Sequence, residues 1–120
     1  MTYKKYAEIV RSAEELSEDL FVSRWLMMPE CESIRGFAPG DQPTSEKRLR
    51  SVYRTLNTPI VEIRKHVGLS QKKFAYRFCI PWRTVQNWEI VGGCSAYTRL
   101  MLMQLCGMFD PVTELGIEDD

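Results

Sequence analysis

The stretch LSQKKFAYRFCIPWRTVQNWE, residues 69–89, decides the fold that we predict for this chain. Its apolar side chains recur three, four or seven positions apart within each half, as a buried helical face requires. These inward positions are Leu69, Phe74, Ala75, Phe78, Val85 and Trp88. Ser70 can cap a first helix, Pro81 suits the start of a second, and Ala75 is small enough for two helices to approach closely. The pattern predicts two short helices joined by a tight turn, a helix-turn-helix.

The same residues resemble the DNA-binding domain of the phage Cro and lambda-repressor-like family. The resemblance covers about residues 59–108, and it depends on LSQKKFA followed by IPWRTVQNWE, which is more specific than helical periodicity alone. Cys79 stands where such domains often place a turn glycine, and Pro81 replaces the usual hydroxyl cap. The resemblance implies an all-α, lambda-repressor-like helix-turn-helix bundle, here with an N-terminal helical extension.

The composition favours one modest domain with an extension, because 120 residues with 44% hydrophobic content can bury a single small core. No run approaches the roughly 20 apolar residues of a membrane span, and the N-terminal sequence MTYKKYAEIV lacks the apolar segment of a signal peptide. The four cysteines show neither CxxC spacing nor a nearby histidine pair; they are Cys31, Cys79, Cys94 and Cys106. We therefore expect a cytoplasmic protein with reduced thiols and without a metal or cofactor.

The formal charges sum to zero but are unevenly distributed along the chain. Residues 46–89 carry ten basic and three acidic side chains, whereas residues 1–45 and 90–120 are both acidic overall. Exposed charges act over only about 10 Å at 0.1 M salt, so a basic face on a neutral protein can still bind DNA. The basic charge coincides with the predicted helix-turn-helix.

Residues 1–44 are predicted to form a helical extension that ends in a loop rich in proline and glycine. Residues 2–10 and 13–28 are amphipathic, and Ser12 with Glu15 matches a capping box at the start of the second helix. That helix is acidic and ends in aromatic and methionine side chains. Two interpretations remain open: it packs on the main domain, or it binds a partner protein.

Residues 45–108 are predicted to form the DNA-binding domain together with a basic helix that precedes it. Ser45 is the expected cap of this basic helix, which either contacts phosphate or forms a solvated surface. Thr58 and Pro59 are expected to be the cap and the first-turn residue of the next helix, and Gly68 is expected to end it. His66 in its last turn is expected to be structural or on the surface.

The last predicted helix, AYTRLMLMQLCGM, is apolar nearly all round. Such a helix must be covered on more than one face, either by the N-terminal extension or by a second copy of the chain. The remaining segment, residues 109–120, is expected to be a frayed acidic tail.

The outward face of the second helix supplies candidate base contacts. If Val85 and Trp88 face the core, the 3.6-residue period turns the polar positions toward solvent or a groove. Arginine can pair with guanine, glutamine or asparagine with adenine, and an aromatic ring can meet a thymine methyl. The candidates are Trp82, Arg83, Gln86 and Asn87, of which Trp82 could instead pack under the extension.

The first turn of the first helix supplies candidate phosphate contacts. Gln71, Lys72 and Lys73 lie there, and cations are poorly placed at the positive end of a helix unless a phosphate relieves them. Ordinary exposed lysines are the alternative. The family resemblance adds Thr84 as a further phosphate contact.

The sequence predicts a non-enzyme, because it has one histidine, no paired ligand motif and no glycine-rich phosphate loop. The resemblance implies a sequence-specific DNA-binding transcriptional regulator, a repressor of bacterial, phage or mobile-element origin. The alternative is a protein-binding module, such as an antitoxin or an anti-CRISPR-like inhibitor of a host nuclease, whose helix-turn-helix serves autoregulation. The expected partners are double-stranded DNA and a second copy of the chain, with a possible protein partner for residues 1–44.

Overall fold

The computed structural model describes residues 1–118 and divides the chain into two compact units. Unit 1 consists of Met1–Asn57 together with the segment that begins at Phe109, and unit 2 consists of Thr58–Met108. The described residues form eight α-helices and one short 3₁₀ helix but no strand, which confirms the all-α prediction. None of these helices is long and apolar enough to cross a membrane.

Unit 1 is built on a long central helix. Its elements are α1 (Tyr3–Glu15), α2 (Glu18–Leu26), the 3₁₀ helix (Pro29–Ser33), α3 (Gln42–Leu56) and α8 (Pro111–Leu115). Helix α3 packs along α2, and α1 contacts both. The rings of Phe21 and Trp25 and the side chain of Leu49 are fully buried. The basic helix predicted at the head of the DNA-binding domain is α3, and its apolar face belongs to this core instead.

The predicted capping box at Ser12 is wrong, because α1 continues past Ser12 and the next helix is capped five residues later. Ser12 is buried inside α1, and α2 begins after Ser17, whose hydroxyl accepts a hydrogen bond from the Leu20 amide at 3.4 Å. Both serines precede acidic residues, so the local pattern fits either start. The apolar residues Ile9 and Ala13, which are buried with Ser12, keep this part of the chain in α1.

Ser45 does not cap α3 either. The cap is Asp41, whose carboxylate accepts a hydrogen bond from the Thr44 amide at 3.2 Å. Ser45 is buried one turn into the helix, where its hydroxyl donates to the Ala38 carbonyl at 2.8 Å and accepts from the Ala38 amide at 3.1 Å. Pro43 fits the first turn because proline lacks only an amide that would have no helical partner there. The loop rich in proline and glycine is therefore ordered on α3.

The predicted frayed acidic tail is wrong for its described part, residues 109–118. The segment contains α8, and its buried side chains are Phe109, Pro111, Leu115 and Ile117. The Ser33 hydroxyl donates to the Leu115 carbonyl at 3.0 Å, and the Glu118 amide donates to the Met1 carbonyl at 2.8 Å. Four buried apolar side chains outweigh the acidic character of the segment. Asp119 and Asp120, the rest of the predicted tail, lie outside the described residues.

Unit 2 consists of four helices around a small apolar core. They are α4 (Ile60–Val67), α5 (Gln71–Arg77), α6 (Trp82–Ile90) and α7 (Ala96–Leu105). Helix α5 packs on α6, α6 on α4, and α4 on α7. Gly68 ends α4 in the left-handed conformation, as predicted, with φ at 69°. The predicted cap at Thr58 is wrong, because Pro59 takes the cap position before Ile60. The fully or largely buried side chains are Ile60, Ile63, Phe74, Ala75, Val85, Ala96, Leu100, Leu102 and Met103.

Three of the six predicted inward positions are buried, namely Phe74, Ala75 and Val85. The other three, Leu69, Phe78 and Trp88, are only partly buried. Trp88 follows Val85 by three residues, which rotates it about 60° away from the Val85 direction around a helix. It therefore lies at the edge of the buried face and not at its centre.

Candidate nucleic-acid interface

Helices α5 and α6 are joined by a short, hydrogen-bonded turn. Helix α5 begins after Ser70, whose hydroxyl accepts a hydrogen bond from the Lys73 amide at 3.2 Å, as the sequence predicts. After α5, the Ile80 amide donates to the Ala75 carbonyl at 2.9 Å, and Pro81 leads into α6. These contacts fix the direction in which the second helix leaves the first.

Cys79 in this turn adopts the left-handed conformation, with φ at 55°. It is the one non-glycine residue with positive φ among residues 1–118. That conformation costs a residue with a Cβ roughly 1–2 kcal/mol, which explains why glycine is the usual choice at such a position.

The four predicted base contacts lie on one face of α6, because positions 82, 83, 86 and 87 are one and four residues apart. Arg83 and Asn87 are exposed, and Gln86 is partly buried. The Trp82 side chain is 42% exposed, so it is not buried in the core. Val85 is fully buried on the opposite face of the helix. The face therefore offers donors and acceptors to an external partner.

The predicted phosphate contacts on α5 fall into two groups. Lys72 and Lys73 are exposed, and neither forms an ion pair within the described part of the chain. Gln71 is partly buried, and its amide nitrogen donates to a carboxylate oxygen of Glu89 at 3.1 Å. Gln71 is thus already engaged inside unit 2. Thr84, the last phosphate candidate, is partly buried on α6.

One contact brings a predicted phosphate residue and a predicted base residue together. The ammonium nitrogen of Lys72 lies 5.3 Å from the centroid of the Trp82 ring, a distance typical of a cation–π interaction. The lysine belongs to the first turn of α5 and the tryptophan to the first turn of α6. The sequence predicted both residues at the site but not their contact.

An ion pair between Arg64 and Glu89 links α4 to α6, and sequence analysis missed it. The Arg64 Nε atom lies 2.8 Å from Glu89 Oε2, and its Nη2 atom lies 2.9 Å from Oε1. The Arg64 Nη1 atom also donates to the Leu69 carbonyl at 3.1 Å. The Glu89 side chain is only 8% exposed. An acidic residue at the end of the predicted recognition helix was the available signal, because it needs a cation to neutralise it beside DNA.

This ion pair keeps both groups charged. The hydrogen bond from Arg64 lowers the pKa of the Glu89 carboxyl, with a smaller contribution from the Gln71 amide, while burial opposes the shift. The same hydrogen bond raises the pKa of Arg64. The negative charge of Glu89 is therefore neutralised within unit 2 and contributes little repulsion toward a phosphate.

The two units carry opposite charge. Residues 58–108 have seven basic and two acidic side chains, whereas the rest of the chain has nine basic and fourteen acidic ones. One of the two acids of unit 2 is the paired Glu89. The zero net charge of the chain thus conceals a basic unit with an excess of cations, which favours a polyanionic partner.

Helix α3 of unit 1 is basic in sequence but largely neutralised in the structure. Arg50 lies 3.0 Å from Glu18 and 2.8 Å from Asp19, and Arg54 lies 2.8 Å from Glu18. Hydrogen bonds from Arg54 and Arg50 lower the pKa of Glu18. Phosphate contact, one of the two interpretations of this helix, would have to compete with these carboxylates.

The remaining residues with metal-binding or nucleophilic side chains include the four cysteines and His66. Within residues 1–118, no group of three or more His, Cys, Asp and Glu side chains is arranged to hold a metal ion. All four cysteines are free thiols, and burial raises the pKa of Cys31 to about 12. His66 is exposed at the end of α4.

No family model, curated protein or solved structure matches this chain in the three comparisons with known proteins.

Proposed function

We propose that this protein is a sequence-specific double-stranded DNA-binding regulator and that α5 and α6 of unit 2 form its helix-turn-helix. The observation that carries the proposal is the arrangement of Arg83, Asn87 and Lys73. All three are exposed, and neither Arg83 nor Lys73 forms an ion pair with residues 1–118. Phe74 and Val85 behind them are buried. Exposed donors on a buried scaffold are what base and phosphate recognition requires.

The side chains on α6 match the chemistry of the major groove. The Arg83 guanidinium can donate two hydrogen bonds to O6 and N7 of guanine, and the Asn87 amide can pair with N6 and N7 of adenine. Gln86 lies beside them, and the Thr84 hydroxyl can donate to a phosphate. The resemblance of residues 59–108 to Cro and lambda-repressor domains supports the same roles. A repressor of bacterial, phage or mobile-element origin is the corresponding biological role.

We further propose that the DNA-bound form is a symmetric homodimer. Tyr97, Met101 and Leu105 follow one another at four-residue intervals on α7, so they form one stripe along the helix, and all three are exposed. A two-fold pair buries such a stripe against its own copy and doubles the length of DNA that is recognised. The half-sites would lie about 10 base pairs apart, as an inverted repeat.

Selection of bound duplexes from a random DNA pool, at a stated salt concentration, tests the proposal. We expect enrichment of a site with a guanine contacted by Arg83 and, for the dimer, an inverted repeat. Failure to enrich any sequence would overturn sequence-specific binding. Sedimentation of the protein with the selected duplex then gives the stoichiometry, and one chain on a non-palindromic site would overturn the dimer.

A protein-binding function is the second candidate, and an exposed apolar surface on unit 1 favours it. Leu20 on α2 is 60% exposed, and Met27, the residue that ends this helix, is 82% exposed. Met27 also lines a cleft of about 310 Å³ with Phe37 and Pro39. Exposed methionine and leucine side chains are common at protein-binding surfaces.

An antitoxin or an anti-CRISPR-like inhibitor would use this surface and keep the helix-turn-helix for autoregulation. Leu20→Glu combined with Met27→Glu in the full chain separates the two functions. For a DNA-binding regulator, binding of the selected duplex and repression of a reporter remain intact. Loss of reporter repression with unchanged DNA binding would favour the protein-binding function.

A further inference from the structure

Trp82 and Lys72 form a single exposed element at the start of the predicted recognition helix. Trp82 is the first residue of α6, and its side chain is 42% exposed. The ammonium group of Lys72 lies 5.3 Å from the centre of its ring. Because the lysine comes from α5, the contact joins the two helices and restrains the tryptophan side chain before any ligand arrives.

The exposed part of this ring is apolar, so covering it with a partner would be favourable. Val85 and Phe74 already fill the buried side of the α5–α6 pair. Trp82 therefore does not serve the core, and its indole presents an apolar surface beside the exposed Arg83. A partner that covers this ring must offer an apolar group at a position adjacent to polar ones.

The major groove of DNA contains one apolar group on its base edges, the C5 methyl of thymine. We propose that Trp82 reads this methyl group and that Lys72 positions the indole while its ammonium approaches the neighbouring phosphate. This inference deepens the proposed function and depends on it, because it assigns specificity for thymine to a residue pair within the DNA-binding site.

Deoxyuridine provides a direct probe, because it lacks only the methyl group and keeps the O4 acceptor and the pairing edge of thymine. Each thymine of the selected duplex is replaced in turn by deoxyuridine, and affinity is measured for the full-length protein. We expect one position in each half-site to lose about fourfold in affinity, the value of burying one methyl-sized group. The other positions should change little.

Three variants then locate the contact. Trp82→Ala should bind the thymine and deoxyuridine duplexes equally. Lys72→Met, which keeps the aliphatic stem and removes the charge, should reduce the thymine preference and lower the salt slope by about 1. Tyr76→Ala removes an exposed aromatic ring from α5 and serves as the matched control, with the preference retained.

The inference is overturned if the unmodified protein tolerates deoxyuridine at every position, a result that requires no variant. It is also overturned if Trp82→Ala, shown to be folded by circular dichroism, keeps the full thymine preference, because another residue then reads the methyl group. A uniform loss on all duplexes with the preference unchanged would place Trp82 on the DNA backbone and likewise overturn it. If the protein binds no duplex selectively, the proposed function fails first, and the inference fails with it.

Discussion

Two basic surfaces of the molecule, α3 in unit 1 and the α5–α6 pair in unit 2, look alike in sequence but differ in structure. In α3, Arg50 and Arg54 are paired with carboxylates of α2, Glu18 and Asp19. In the α5–α6 pair, Lys73 and Arg83 form no ion pair with any residue from 1 to 118. The charge of α3 is neutralised by ion pairs within unit 1, whereas the charge of the α5–α6 pair is exposed to solvent.

The difference shows that a count of basic residues does not predict how much unpaired positive charge a surface presents. Binding to phosphate releases counterions only where the cation is not already neutralised by the protein. An arginine that must first break an ion pair with a carboxylate contributes less binding free energy when it contacts a phosphate. The unpaired cations of unit 2, and not the paired arginines of α3, are therefore the expected DNA contacts.

The largest expected effect comes from emptying the core of either unit. Phe74 in unit 2 and Trp25 in unit 1 are both fully buried, so replacement of either by alanine should cost about 3–5 kcal/mol of unfolding free energy. Phe74→Ala should also weaken DNA binding, because this ring supports α5 and α6. Trp25→Ala should leave the DNA affinity of the folded protein unchanged. Denaturant titration and DNA titration of both variants measure this, and equal losses of DNA affinity would contradict the division of roles.

The Arg64–Glu89 ion pair should make the stability of unit 2 depend on pH. Glu89→Gln leaves the partly buried Arg64 without its counterion and should cost about 1–3 kcal/mol at neutral pH. Since the folded-state pKa of Glu89 is lowered, its contribution is complete above the unfolded value of about 4.5 and is lost as the pH falls through the lower folded value. The difference between wild type and Glu89→Gln should therefore shrink in acid.

Glu62→Gln on α4 is the matched control for this ion pair. Glu62 is exposed, and its replacement should change stability by no more than about 0.5 kcal/mol. Thermal or denaturant unfolding between pH 3 and neutrality gives both curves. A constant difference between wild type and Glu89→Gln over this range would show that the ionised carboxylate is not the stabilising group.

Arg83→Ala should lose about 1–3 kcal/mol of DNA-binding free energy and relax the preference at one base pair, because a bidentate guanine contact disappears. The matched control lies in the DNA: 7-deazaguanine at that position removes the N7 acceptor. It should weaken the wild type but have no further effect on Arg83→Ala. Equal losses for Arg83→Ala on every sequence would assign this residue to the backbone instead.

Local patterns predicted much of unit 2 correctly. The cap at Ser70, the left-handed stop at Gly68 and the burial of Phe74, Ala75 and Val85 all depend on residues within a few positions of one another. Helical periodicity and capping chemistry are local, so one sequence contains them. Trp88 shows the limit of this local prediction. Periodicity assigns a residue to a helix face, but it does not say how far the buried core extends across that face.

Contacts between distant parts of the chain escaped prediction. Arg50 pairs with Glu18 across 32 positions, and Arg64 pairs with Glu89 across 25. The docking of the segment after Phe109 onto unit 1 brings the Glu118 amide to the Met1 carbonyl, from opposite ends of the described chain. Gly116 shows how close this approach is, because a Cβ there would lie 2.6 Å from the Ser33 carbonyl oxygen. Nothing in the local sequence encodes which carboxylate meets which arginine.

The smallest and most direct test compares the two basic surfaces with matched double variants. Lys72→Gln with Lys73→Gln removes two unpaired cations from α5, and Arg50→Gln with Arg54→Gln removes two arginines that α3 holds on carboxylates. The lysine pair should weaken binding to every duplex and reduce the slope of log affinity against log salt by about 0.9 for each lost phosphate contact. The arginine pair should leave the slope unchanged and have little effect on stability, because solvent screens ion pairs at the surface. Affinity for the selected duplex, measured from 50 to 200 mM salt, decides between them.

A reduced slope for the arginine variant would mean that α3 also contacts DNA, and a slope unchanged in the lysine variant would remove α5 from the interface.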